Sequence, residues 1–252
     1  MSPPSPFDES EVIESRDMGG LAGYAVGVLY MATPFAFVPG NIQNVTTLPF
    51  PVAYERVDGI SIPELLEGHP RMLEALLPAQ GRLERRGVRI IIGACGSFAN
   101  FQQELAHAAS VPVFSSILTQ IPWLLSALPR AQRIAVVFAD SRSFTPRIQE
   151  QCRIQDASRL VVADCMALEP FRAMLEHPYR LAHRQLEAAV ASHLRELVKA
   201  DPQIGLIMLQ CSELPPYAAA IQRATGRPVV DVVNLALWAQ SAARRHTYSG
   251  HL

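Results

Sequence analysis

Two cysteines stand in the same local frame, and that repeat limits the folds open to this chain. Cys95 follows the apolar run Val88 to Ala94, and Cys211 follows Ile204 to Gln210. A proline comes 17 residues after each cysteine, Pro112 and Pro228, and each proline opens a further short apolar run, Val113-Phe114 and Val229-Val230. Between cysteine and proline the apolar positions also match: Phe101, Leu105 and Ala108 in the first copy, Tyr217, Ile221 and Ala224 in the second. Spacings of four and three place each set on one helix face. The unit reads strand, cysteine at the turn, helix, proline, strand, and it occurs twice.

The rest of the chain alternates in the same way. Strands are expected at Tyr24–Met31, near Val52–Val57, and at Val88–Ala94, Ile134–Phe138, Arg159–Ala163 and Ile204–Leu209. Helices are expected over Ile62–Arg86, over Leu181–Lys199 with Leu186, Val190, Leu194 and Leu197 on one face, and over Val232–Ala243. The strand runs are continuously apolar rather than alternating, as in parallel sheets covered on both faces. The expected fold is α/β: two pseudo-symmetric doubly wound domains, each with a mostly parallel sheet of four to five strands, and an active site in the cleft between them. The first domain is expected to be discontinuous, 1–116 plus 229–252, and the second to span 117–228.

Composition narrows the function. Hydrophobic residues are 49% and charged residues 18%, enough apolar material for a sizeable core in 252 residues. The net charge is −1 with no basic run, so nucleic-acid or anionic-membrane binding has no electrostatic support. Leu21–Val38 is uncharged, but Thr33-Pro34 and Pro39-Gly40 break it, and it reads as a buried strand plus a loop rather than a membrane span. The N-terminus, from Met1 through the acidic stretch Asp8–Asp17, reads as a loose tail without the pattern of a signal peptide. Four cysteines without a secretion signal, CxxC spacing or zinc spacing imply free thiols in a reducing, cytoplasmic setting and no structural metal.

A cysteine at a strand-to-helix turn lies near free N–H groups that favour the thiolate and can bind a carboxylate. Gly96-Ser97 and Ser212-Glu213 follow the two cysteines, and Ser97 and Ser212 could donate to a substrate carboxylate and to the enediolate formed when an α-proton leaves. Two thiols on opposite faces of one carbon could remove a proton and return one, inverting it without a cofactor. The plainer reading is that both are small core residues, as cysteine often is. Cys152 and Cys165 lack the repeated frame and read as structural. The histidines show no triad or metal spacing, and His183 and His193 are expected away from the strand ends. Trp123 reads as core or cleft wall, and Arg142 and Arg147 as solvated charges.

From Val26 to Trp238 the sequence resembles the aspartate/glutamate racemase superfamily, which includes hydantoin racemases, maleate isomerases and arylmalonate decarboxylases. The resemblance is most specific at Leu209-Gln210-Cys211-Ser212-Glu213-Leu214-Pro215-Pro216-Tyr217 with Thr225-Gly226-Arg227-Pro228-Val229, and next at Gly93-Ala94-Cys95-Gly96-Ser97-Phe98. It implies two similar α/β domains with one catalytic cysteine from each, Cys95 and Cys211, and no cofactor. It further implies substrate contacts at Thr33 after the first strand, Asn41 in the following loop, Gly96, Ser97 and Phe98, Asp140 after the central strand, and Ser212 and Glu213. Glutamate racemases carry aspartate where this chain has Met31-Ala32-Thr33, and often histidine where it has Glu213. A carboxylate there raises a neighbouring thiol pKa rather than lowering it.

The function expected is a cofactor-independent racemase or epimerase for an amino acid, hydantoin or related small carboxylate. A decarboxylase or cis–trans isomerase of a dicarboxylate is the second expectation, and a silent binding protein of the same fold the third. The only partner expected is the small-molecule substrate; members of the superfamily are often dimers or larger, which leaves a homo-oligomer open.

Overall fold

The computed structural model describes residues 22–177 and 179–245. The expected N-terminal tail and His246 lie outside the described residues. The elements run in order β1 (Val26–Tyr30), β2 (Val52–Arg56), α1 (Ile62–Glu67), α2 (Leu73–Arg85), β3 (Ile90–Gly93), α3 (Gln102–Ala108), β4 (Val113–Phe114) and α4 (Ile121–Ala127). The second half repeats the scheme with β5 (Arg133–Phe138), α5 (Pro146–Gln151), β6 (Leu160–Asp164), α6 (Glu169–Glu176), α7 (His183–Ala200), β7 (Ile204–Leu209), α8 (Ala218–Thr225), β8 (Val229–Val230) and α9 (Val232–Ala243).

Among the described residues the strands form two four-stranded sheets of the same order, β2-β1-β3-β4 and β6-β5-β7-β8. Every pairing is parallel. This is the expected α/β architecture, and the continuous apolar strands explain it, because both faces of each sheet are covered. Alternate residues of a strand point to opposite faces. Val26 and Val28 of β1, Ile90 and Ile92 of β3, Ile134 and Val136 of β5 and Met208 of β7 meet in one central core with Ile121 and Leu125 of α4 and Leu235, Ala236 and Ala239 of α9. The opposite faces feed two outer layers. Leu29 and Ile91 pack on Leu76, Leu83 and Leu105; Val137, Ile207 and Leu209 pack on Leu186, Val190, Leu194 and Ile221.

Several expectations shift in detail. The helix expected over Ile62–Arg86 is broken at Gly68-His69-Pro70, where Gly68 adopts φ +71 and caps α1. Val229–Val230, expected to open the return to the first domain, pairs with β7 in the second sheet. The return is made by α9, which packs on β1 and β3. Its start is built by a reciprocal cap: the Asp231 carboxylate accepts from Val233 and Asn234 N–H, and Asn234 Oδ1 accepts from Asp231 N–H. Trp123 is 64% exposed on α4 rather than core, and lines an apolar groove with Trp238. Cys152 and Cys165 lie in the packed layers, and burial pushes both thiols up to about 12.

Candidate functional site

Both repeated cysteines sit just past the carboxyl ends of inner strands, where ligands bind in open α/β sheets. Cys95 is the N-cap residue of a 3₁₀ turn, Gly96–Phe101, that leads into α3. Cys211 follows β7 and Gln210, whose N–H is held by Val137 O at 3.0 Å. The two turns touch. A β-carbon on Gly96 would overlap the side-chain amide of Gln210 and lie 2.7 Å from its carbonyl oxygen. Only glycine admits this approach, which brings a residue adjoining Cys95 against a residue adjoining Cys211.

The two thiols have unlike surroundings. Burial raises the pKa of Cys95, partly offset by hydrogen bonds from the Ser97 N–H, the Ser97 hydroxyl and the Phe98 N–H. Burial raises that of Cys211 well above the usual thiol value, with the Glu213 charge adding to it, and fewer donors oppose the rise. Both thiols therefore rest protonated at neutral pH, and Cys95 is the better prepared to hold a negative charge. Burial also pushes the Glu213 carboxyl up to about 7, with hydrogen bonds from Ser212 and Asn41 holding it lower than burial alone would. The field of Glu213 reaches both thiols, so the site holds one group that exchanges its proton near neutrality beside two that do not.

The loop after β1 closes over the second cysteine turn. Asn41 is buried, and its Nδ2 donates to Ser212 O and to Glu213 Oε2, both at 3.0 Å. Its Oδ1 accepts from Gln43 N–H at 2.8 Å, and Gln43 Nε2 donates to Met31 O at 3.1 Å. Gly40 has φ +101 and packs on the Pro216 backbone. Thr47 Oγ1 accepts from Gly40 N–H and donates to Asn41 O. Asn41 thus acts on Glu213, where the resemblance implied a substrate contact.

Other expected site residues fall out as follows. Gly96 is the contact point of the two turns. Ser97 is buried in the turn that Cys95 caps. The Phe98 ring is fully buried in the outer layer with Leu29, Leu65 and Ile91, and its N–H donates to Cys95 O at 3.1 Å. Ser212 Oγ lies 3.5 Å from Glu213 Oε1. Thr33 is half-buried just beyond β1, and among the described residues no protein group bonds its hydroxyl. The Asp140 carboxylate is committed to Arg142, through its Nε and Nη2 and its backbone N–H. That pairing holds it below the usual carboxylate range.

Arg147 is not a solvated charge: it donates to Asn100 O at 3.0 Å and pairs with Glu104 at 2.8 Å, tying α5 to the helix after Cys95. His183, expected far from the strand ends, packs on Tyr217 with ring centroids 5.2 Å apart. A helix that returns the chain between parallel strands runs antiparallel to them, so the first turn of α7 lies at their carboxyl ends. Among the described residues no group of three His, Cys, Asp or Glu could hold a metal ion, and no helix is long and apolar enough to cross a membrane. Sequence reasoning passed over Gln210, because its closeness to Gly96 joins positions more than a hundred residues apart.

Known proteins agree with this architecture. The Asp/Glu/Hydantoin racemase model matches residues 48–240. A dimethylsulfoniopropionate lyase of Durusdinium sp. clade D is 27% identical over 217 residues, 83% of this chain and 71% of that protein. Dimethylsulfoniopropionate lyase 5 of Emiliania huxleyi (strain CCMP1516) is 26% identical over 87% of this chain, which spans only 45% of that protein's length. Among solved structures, an aspartate racemase homologue from Pyrococcus horikoshii OT3 superposes with a TM-score of 0.56 at 16% identity, covering 88% of this chain and 99% of that one. The structural likeness is one of fold.

Proposed function

This chain belongs to the Asp/Glu/Hydantoin racemase family, and from that premise we propose that it is a cofactor-independent acid–base enzyme that removes the α-proton of a small carboxylate between Cys95 and Cys211. The observation that carries the reading is the contact of the two cysteine turns at Gly96 and Gln210. It supports the reading because it brings a neighbour of Cys95 against a neighbour of Cys211. The thiolate that acts as base is generated by passing its proton to the Glu213 carboxylate, whose affinity for protons matches neutral pH.

Two reactions share this first step. In an elimination, the base takes the α-proton, the C–H pair becomes the Cα–Cβ double bond, and the bond to a β-substituent breaks with its electrons. A propionate bearing a β-dimethylsulfonio group would give acrylate, dimethyl sulfide and a protonated base. In a racemisation the second thiol returns a proton to the opposite face. The names of the relatives that match over 83% and 87% of the chain favour elimination, as do the unlike surroundings of the thiols, which suit a one-way reaction. The repeated cysteine frame favours racemisation.

Proton NMR in D2O separates them. Dimethylsulfoniopropionate, the enantiomers of aspartate, glutamate and neutral amino acids, hydantoins and substituted malonates are each incubated with the protein. Vinyl signals from dimethylsulfoniopropionate establish the lyase. Loss of an α-proton with inversion establishes the racemase, and loss of a carboxylate the decarboxylase. Cys95→Ser and Cys211→Ser should each lower a racemase at least a hundredfold, whereas a one-base lyase loses that much in one of them. Turnover that survives both replacements would rule out thiol chemistry.

A further inference from the structure

Gln210 marks the contact of the two cysteine turns, and its side chain has no chemical role so far. It is 6% exposed, and among the described residues no protein group hydrogen-bonds its side-chain amide. Neither amide atom is among the unpaired side-chain atoms sealed from solvent, so the amide keeps a small contact with solvent. A buried amide without a partner is costly unless something else satisfies it. Gly96 is shaped to its presence, since any β-carbon there would displace the amide. The turn beside Cys95 therefore leaves a gap that the Gln210 side chain fills.

We propose that the Gln210 side chain is a catalytic residue that binds the substrate carboxylate, its Nε2–H donating to a carboxylate oxygen between the two sulfurs. The assignment rests on the reading of Cys95 and Cys211 as the acid–base pair of a carboxylate site. When the α-proton leaves, negative charge moves onto the carboxylate oxygens, and a fixed donor aimed there stabilises the enediolate more than the ground state. A neutral amide is suited to this place. A lysine or arginine between the sulfurs would hold both as thiolates and leave no acid to donate, while a carboxylate would repel the substrate. The Asn41 amide is already committed to Glu213 and Ser212.

The test needs no turnover. Iodoacetate and iodoacetamide alkylate the same thiols and differ in bearing a carboxylate or a neutral amide. Their rates at Cys95 and Cys211 are read by peptide mass spectrometry, with glutathione as reference. The wild type should favour iodoacetate over iodoacetamide about tenfold more than glutathione does, and Gln210→Met, which keeps the bulk without the donor, should lose that preference. Gln210→Glu should reverse it. A preference unchanged in folded Gln210→Met overturns the assignment. Should that variant not fold, the wild type alone decides: acetate must slow alkylation by iodoacetamide and acetamide must not, and equal effects overturn the proposal. Carboxylate-selective alkylation that depends on Gln210, without turnover of any compound, supports the assignment and counts against the enzymatic reading. Turnover indifferent to Gln210→Met does the reverse.

Discussion

At the residue scale, Glu213 is the group whose environment departs most usefully from its ordinary state. Its carboxyl rises from 4.5 to about 7, chiefly through burial. A carboxyl raised on folding contributes stability that is full below its unfolded pKa and is lost as pH rises through the folded one. The protein should therefore lose stability between about pH 4.5 and pH 7, by up to about 3 kcal/mol from this residue. Urea midpoints of Glu213→Gln and wild type across that range check it: the variant should fall less steeply than the wild type, keeping only the slope of other raised carboxyls such as Asp231, and parallel curves would deny Glu213 the role. The sign of its influence was legible in the sequence, where a carboxylate beside Cys211 was expected to raise the thiol. The two cysteines were legible for the same reason, since a repeated frame is visible in one dimension. Gln210 and the placing of His183 were not, and Asn41 was named without its partner Glu213, because each meets a neighbour distant in the chain.

At the scale of elements, the loop between β1 and β2 depends on one backbone position. Gly40 has φ +101, and a β-carbon there would stand 2.8 Å from Pro216 Cα. Gly40→Ala should cost roughly 1–3 kcal/mol and should weaken the hold of Asn41 on Glu213. Thermal melting gives the first effect, and a fall in activity beyond the loss of folded protein gives the second; an unperturbed melt would mean that the loop yields at no cost. Long elements were read well from the chain. The run Val232–Ala243 is helical over its whole expected length, and β5, β6 and β7 lie within a residue of their expected bounds. What failed was interruption and direction. The break at Gly68-His69-Pro70 lies inside a continuous apolar period, and periodicity does not say which end of α7 lies near the site.

At the scale of the molecule, the repeat gave two sheets of one order, but not two independent bodies. The inner faces of both sheets, with α4 and α9, share one core, because each half leaves one sheet face apolar and no helix of its own covers it completely. Unfolding should then be a single transition. Val28→Ala and Val136→Ala, one in each sheet and both fully buried in that core, should each lower one common midpoint by roughly 1–3 kcal/mol. Coincident melts by tryptophan fluorescence and far-ultraviolet circular dichroism would bear this out; a two-step curve in either variant would contradict it.

The same strand order in both halves, joined with different groups around each sulfur, carries a stereochemical consequence. On the proposed reading the two thiols would face opposite sides of a bound carbon, and a perfectly matched pair would treat left and right alike. Here one side has a donor-rich sulfur and the other a sulfur beside a carboxyl. Handedness in the chemistry thus arises from the decoration of the scaffold, and a prochiral compound processed between these turns would carry solvent deuterium on one face.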